Sequence, residues 1–124
     1  MTQITPILRQ EIERQKVISF ARFMEVALYC PEMGYYERDA RRVGRGGDFF
    51  TSVSVGSLFG ELLAFQFAEW LDRLCRRRVQ LVEAGGHDGQ LAFDILIWLR
   101  REKLELFNRL EYWLVESSAR CQAW

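Results

Sequence analysis

The stretch Val79-Gln80-Leu81-Val82-Glu83-Ala84-Gly85-Gly86-His87-Asp88-Gly89-Gln90-Leu91 constrains this chain more than any other. It is a short apolar run that ends in an acid, then a glycine-rich turn, then a segment of helical spacing. Val79 to Val82 reads as a buried strand, and Gly85, Gly86 and Gly89 make a tight turn where backbone can approach a ligand closely. A helix should begin at Gln90. Such a turn aims free backbone N–H groups and the positive end of a helix at whatever lies above the strand's carboxyl end. Ligands of open α/β sheets bind in that place, and Glu83 at the strand terminus can accept hydrogen bonds from a ligand's amine or hydroxyls.

A second acid is expected at the end of the next strand. Tyr112-Trp113-Leu114-Val115-Glu116 supplies it, so Glu83 and Glu116 would flank one pocket. Between the strands, Leu91, Phe93, Ile95, Leu96, Ile97, Trp98 and Leu99 make a helix apolar on nearly all sides, as for a crossover helix covered by others. Arg100 to Arg109 reads as a polar tail and turn, and Leu110 to Glu116 as the second strand. Val79 to Glu116 is therefore one βαβ unit with parallel pairing and a right-handed crossover, and the fold class is α/β.

Upstream, Thr5-Pro6 reads as an N-cap and first-turn proline, with Ile7, Leu8, Ile12 and Val17 giving a weakly amphipathic helix. A second helix should start near Ser19, turn Phe20, Phe23, Met24, Ala27 and Leu28 inward, and end at Pro31. Tyr35-Tyr36 then reads as a packed or half-buried pair. Arg38 to Asp48 carries Arg38, Arg41, Arg42, Arg45, Gly44, Gly46 and Gly47, and is either a solvated loop or a cover over a ligand. Ser54 or Ser57 caps a long helix to about Arg78, with Phe59, Leu62, Leu63, Phe67, Trp70, Leu71 and Leu74 on one face. Arg76, Arg77 and Arg78 would complement the dipole at its last turn, which accounts for them without nucleic acid.

The 17 basic and 17 acidic side chains cancel, so no overall field favours nucleic acid or an anionic membrane. No run approaches the ~18 apolar residues of a membrane span, and the N-terminus lacks a charged-then-apolar secretory pattern; a cytoplasmic location is expected. Cys30, Cys75 and Cys121 are widely spaced and His87 is the single histidine, a set that suits neither a metal site nor a disulfide framework.

In this order the blocks resemble the MidA-like, S-adenosylmethionine-dependent methyltransferases, whose mitochondrial members assist assembly of respiratory complex I. Ile18 to Met24, Ala27-Leu28-Tyr29, Pro31-Glu32 and Gly34-Tyr35-Tyr36 resemble the family's opening signature. Gly46-Gly47-Asp48-Phe49 with Thr51-Ser52 resembles its glycine–aspartate–phenylalanine loop, and Leu81 to Gly85 with Gly89 its cofactor motif. The resemblance implies a Rossmann-like class I sheet that takes S-adenosyl-L-methionine as cofactor and a protein, through an arginine side chain, as methyl acceptor. It implies cofactor contacts at Glu83, Ala84, Gly85, Gly86, His87, Gly89 and Glu116, the last for the ribose hydroxyls, and at Gly47, Asp48, Phe49, Thr51 and Ser52. His87 stands where the motif usually has its middle glycine, and Val53-Ser54 replaces the usual Pro-Glu.

The resemblance divides the chain into a helical and loop region over 1–55 and the first part of the cofactor domain over 56–124. A doubly wound sheet needs several more strands, so a fragment or a truncated product is expected, with unpaired strand edges open to self-association. A non-catalytic remnant or assembly partner is the alternative. Ala84-x-Gly86-x-x-Gly89 also imitates a degenerate dinucleotide fingerprint.

Overall fold

The computed structural model describes residues 4–37, 51–74 and 77–118. The chain divides into two compact units, one from Met1–Ala40 and Ser117–Trp124, the other from Arg41–Glu116.

In the first unit, α1 (Thr5–Gln15) carries Pro6 in its first turn, but Ile4 rather than Thr5 is the cap residue and no side chain caps it. None of its residues is buried, and Val17 lies beyond its end. The start of α2 (Phe20–Tyr29) is as expected: the Ser19 hydroxyl accepts the Arg22 N–H at 3.1 Å. Arg22 in turn bonds Glu11 of α1 at 3.0 Å and Glu25 at 2.9 Å. The inward face of α2 needs correction. Val26 is its buried residue, while Phe20 and Phe23 are exposed and stack on each other with centroids 6.1 Å apart. Apolar residues occupy more than one stripe of this helix, and spacing does not say which stripe finds a partner.

Past Pro31 the chain folds back on the helix end. Tyr35 N–H donates to the Ala27 carbonyl at 2.9 Å and Tyr36 N–H to that of Leu28 at 2.8 Å, satisfying last-turn acceptors that would otherwise be orphaned. The tyrosines pack as expected: Tyr36 stacks on Tyr29 at 5.5 Å and meets Tyr35 edge-on at 5.2 Å.

The second unit runs α3 (Leu58–Arg73), β1 (Val79–Ala84), α4 (Gln90–Glu102), α5 (Leu104–Arg109) and β2 (Leu110–Val115). The strands pair in parallel from Val79 opposite Leu110 to Ala84 opposite Val115. Paired residues share a face in this register. Val79, Leu81, Leu110 and Tyr112 face the core, which also holds Ala64, Ala68, Leu71, Ile95, Leu99 and Leu106.

The opposite face is open among the described residues: Val82 is 61% exposed, and Trp113 and Val115 are exposed beside it. The fully buried strand expected at Val79 to Val82 is thus an alternating one, because helices cover one face of it. Arg100 to Arg109 is not simply a polar turn, since α4 extends to Glu102 and α5 buries Leu106.

Helix α3 departs most from expectation. It ends at Arg73, and Arg78 pairs with Glu111 of β2 at 3.0 Å rather than facing a helix end. Its buried face is Gly60, Ala64, Ala68 and Leu71; Leu62, Trp70 and Leu74 point outward. Small residues let the backbones of α3 and α4 approach. A Cβ at Gly60 would lie 2.5 Å from the Asp94 Cβ. Phe65 meets Trp98 edge-on at 6.1 Å, so the two helices run in the same sense and present their N-termini at the end where β1 stops.

Candidate functional site

At the carboxyl end of the sheet, Gly85 N–H donates to the Val115 carbonyl at 2.8 Å and carries the pairing one residue past Ala84. Gly85 has φ +74°, and a Cβ added there would meet nothing within 4 Å. Its conformation requires glycine and its surroundings are open. Gly86 is buried instead, and a Cβ there would press on Leu114 Cδ2 and lie 3.6 Å from Glu83 Oε1. The turn closes through Gly89 N–H to the Gly86 carbonyl at 2.7 Å. Gly89 is left-handed at the cap of α4.

The two expected acids sit at this turn. Glu116 Oε2 accepts the His87 N–H at 3.0 Å, which ties the end of β2 to the middle of the turn. Glu83 Oε2 accepts from the Tyr112 hydroxyl at 2.7 Å across the strand pair. Burial, and then the Glu83 carboxylate beside it, push the Tyr112 hydroxyl well above the usual tyrosine range. That pair locates one carboxylate oxygen and leaves Glu83 Oε1 on the Gly86 side.

His87 takes φ 45°, a left-handed conformation costly for a side chain with a Cβ. Its Nδ1 is buried without a hydrogen-bond partner among the described residues, 3.7 Å from Asp88 Oδ1, although the side chain as a whole is 38% exposed.

The other expected residues fall elsewhere. Gly47, Asp48 and Phe49 lie outside the described residues. Thr51 Oγ1 is 3.2 Å from Ser54 Oγ, and Ser52 opens a short 3-10 turn, Ser52–Val55, ahead of α3. No hydrogen bond among the described residues joins Thr51 or Ser52 to the glycine turn, although the helix they lead into starts at the same end of the sheet.

Three polar roles were not read from the sequence. Asp88 Oδ1 accepts the Gln90 N–H at 3.2 Å, supplying the cap that Gly89 cannot. Asp94 is 7% exposed within α4, and its Oδ1 accepts from Gln90 Nε2 at 2.8 Å. Tyr112 is the third. The available signals were an aspartate just before a helix start and a lone acid inside an apolar helical run.

A family model described as "Putative S-adenosyl-L-methionine-dependent methyltransferase" matches residues 62–124. The protein arginine methyltransferase NDUFAF7, mitochondrial, of Homo sapiens is 40% identical over 98 residues, covering 75% of this chain and 22% of that protein. Its Danio rerio counterpart is 42% identical over 80 residues, covering 64% of this chain and 19% of that one. A crystal structure from Burkholderia thailandensis, bound to S-adenosyl-homocysteine, superposes with TM-score 0.77 at 35% identity over 97% of this chain and 31% of its own. The chain thus spans about a fifth of the length of the curated relatives it matches, 22% of the one and 19% of the other.

The expected cytoplasmic location is corrected by these relatives, both of which are named mitochondrial. The expectation rested on the lack of a secretory pattern, and that test is blind to transit peptides, which are amphipathic and arginine-rich rather than apolar.

Proposed function

The chain belongs to the S-adenosyl-L-methionine-dependent methyltransferase family, and we propose that its strand–turn–helix unit is the cofactor-binding part of a protein methyltransferase. The observation that carries this reading is the open side of Gly85 at the end of a parallel strand pair, in a turn that also holds the Glu83 and Glu116 carboxylates. Ala84, Gly85, Gly86, His87 and Gly89 would shape the floor under the amino-acid end of the cofactor. Glu83 and Glu116 would accept hydrogen bonds from its ammonium and hydroxyl groups. Gly47, Asp48, Phe49, Thr51 and Ser52 would border the same site.

When bound, the cofactor supplies a methyl group on a sulfonium. The protein's task is then to hold the acceptor in line with that methyl and to exclude water, and most of the rate comes from positioning. No residue is assigned as base. The relatives named protein arginine methyltransferases support a protein acceptor, with arginine as its reacting side chain and a role in complex I assembly. Val82, Trp113 and Val115, exposed on one sheet face, together with the strand edges that are unpaired among the described residues, support self-association.

Calorimetric titration of S-adenosylhomocysteine into the chain, once circular dichroism shows it folded, tests the reading. Saturable binding that Glu116→Ala weakens roughly tenfold is expected, the scale of one hydrogen bond to a charged group. A folded chain that does not bind overturns it and leaves the second reading, a non-catalytic remnant or assembly partner. His87 at a position the family gives to glycine is what favours that alternative.

A further inference from the structure

Resting on the cofactor reading above, the geometry points to a positioned acceptor that the glycine motif does not include. We propose that Asp94 orients the Gln90 side chain so that Gln90 Oε1 accepts a hydrogen bond from the ammonium group of the bound cofactor.

Asp94 is a buried carboxylate in an otherwise apolar stretch of α4, and it makes no ion pair among the described residues. As a packing element it is a poor choice, since an apolar side chain would fill the space without desolvating a charge. It faces α3 at a close approach of the two helices, where a Cβ at Gly60 would lie 2.5 Å from the Asp94 Cβ. Its single hydrogen bond among the described residues goes to Gln90 Nε2, at 2.8 Å.

That bond determines which way the amide points. The Gln90 NH2 group donates to Asp94 Oδ1, so the carbonyl oxygen Oε1 is the other, outward end of the amide. Gln90 is the first residue of α4, directly after Gly89, and its backbone N–H is already taken by Asp88. The result is a preset acceptor at the mouth of the turn.

The local charge selects the donor. From Val79 to Leu99 there is no lysine or arginine, while Glu83, Asp88 and Asp94 are acidic and Glu116 joins them at the turn. An acceptor in this field suits a cationic N–H donor better than a neutral hydroxyl. The amino-acid end of the cofactor carries such a group. Gln90 would touch the ligand, and Asp94, acting through it, is a positioning residue.

The test compares two probes, S-adenosylhomocysteine and 5′-methylthioadenosine, which lacks the amino-acid end, on the full chain. Gln90→Leu is expected to weaken S-adenosylhomocysteine roughly tenfold and leave methylthioadenosine unchanged. Asp94→Asn keeps the shape but lets the amide flip, and is expected to give a several-fold loss with the same ligand selectivity. In the double variant Asp94→Asn should add nothing to Gln90→Leu. Equal losses on both ligands for Gln90→Leu overturn the ammonium contact, and an additive Asp94→Asn effect overturns the positioning role. Gln90→Leu also removes the side-chain bond of buried Asp94, so the ratio of the two ligands' affinities, which a general loss of stability does not alter, is the readout for each variant. If the folded wild-type chain binds neither probe, the cofactor reading itself fails and this inference falls with it.

Discussion

Gly34 and Gly85 each sit where a regular element ends, and they are glycine for opposite reasons. A Cβ at Gly34 would lie 2.5 Å from the Cys30 nitrogen and 2.7 Å from the Leu28 carbonyl oxygen, so the chain folding back on α2 leaves no room for one. A Cβ at Gly85 would meet nothing, and only the backbone conformation excludes it. The first glycine closes a packed corner. The second keeps one open, and an enclosed glycine speaks of stability where an open one speaks of access.

The comparison breaks most readily at Gly34. Gly34→Ala forces backbone against backbone, and a loss of about 3 kcal/mol is expected, at the upper end of overpacking effects. Urea denaturation would show a lower midpoint at unchanged slope. Gly85→Ala should cost less, about 1–2 kcal/mol for a left-handed alanine, because no atom is in the way. Its distinguishing mark is a fall in S-adenosylhomocysteine affinity larger than its fall in stability explains. If Gly85→Ala proved the more destabilising of the two, the contrast between closed and open corners would be wrong.

The same contrast explains what could be read from the sequence. The strands, their parallel pairing and the start of α4 were legible because a short apolar run, three glycines and a second apolar run with a terminal acid leave few alternatives. The inner face of α3 was legible only in part, through Leu63, Phe67 and Leu71, which do pack on the core. Large residues such as Leu62 and Trp70 drew attention, whereas the contact is made by Gly60, Ala64 and Ala68, whose contribution is the space they leave. Helix α5 was missed because its six residues are too few to display a period. At the turn, the placing of Glu83 and Glu116 was legible from strand ends. The bonds from Tyr112 to Glu83 and from Gln90 to Asp94 depend on register and helix-face geometry that residue types alone do not reveal.

Tyr112 sharpens the comparison from the closed side of the turn. Its hydroxyl titrates above the usual value of about 10 when folded, so the native state holds the neutral form more firmly than the unfolded chain does. The stabilisation is complete below about pH 10 and is lost as pH rises beyond it, where the unfolded chain releases the proton first. Tyr112→Phe should therefore lose a modest amount of stability at neutral pH, with its bond to Glu83. It should also decline less steeply than the wild type above about pH 10, which urea midpoints across that range would show. Parallel alkaline slopes for the two proteins would mean that Tyr112 is not held as described.

The smallest effect is expected at His87, and its sign is the informative part. Glycine takes φ 45° without the crowding a Cβ brings, and the bond from His87 N–H to Glu116 belongs to the backbone and survives the change. Replacement also removes the Nδ1 that is buried without a hydrogen-bond partner among the described residues. Against these gains stands the greater freedom of glycine in the unfolded chain. His87→Gly should therefore raise stability by about 0.5–1 kcal/mol, read as a small rise in Tm. A fall instead would mean that the imidazole packs against the turn strongly enough to outweigh the strain, and the middle of the open corner would then belong with the closed kind.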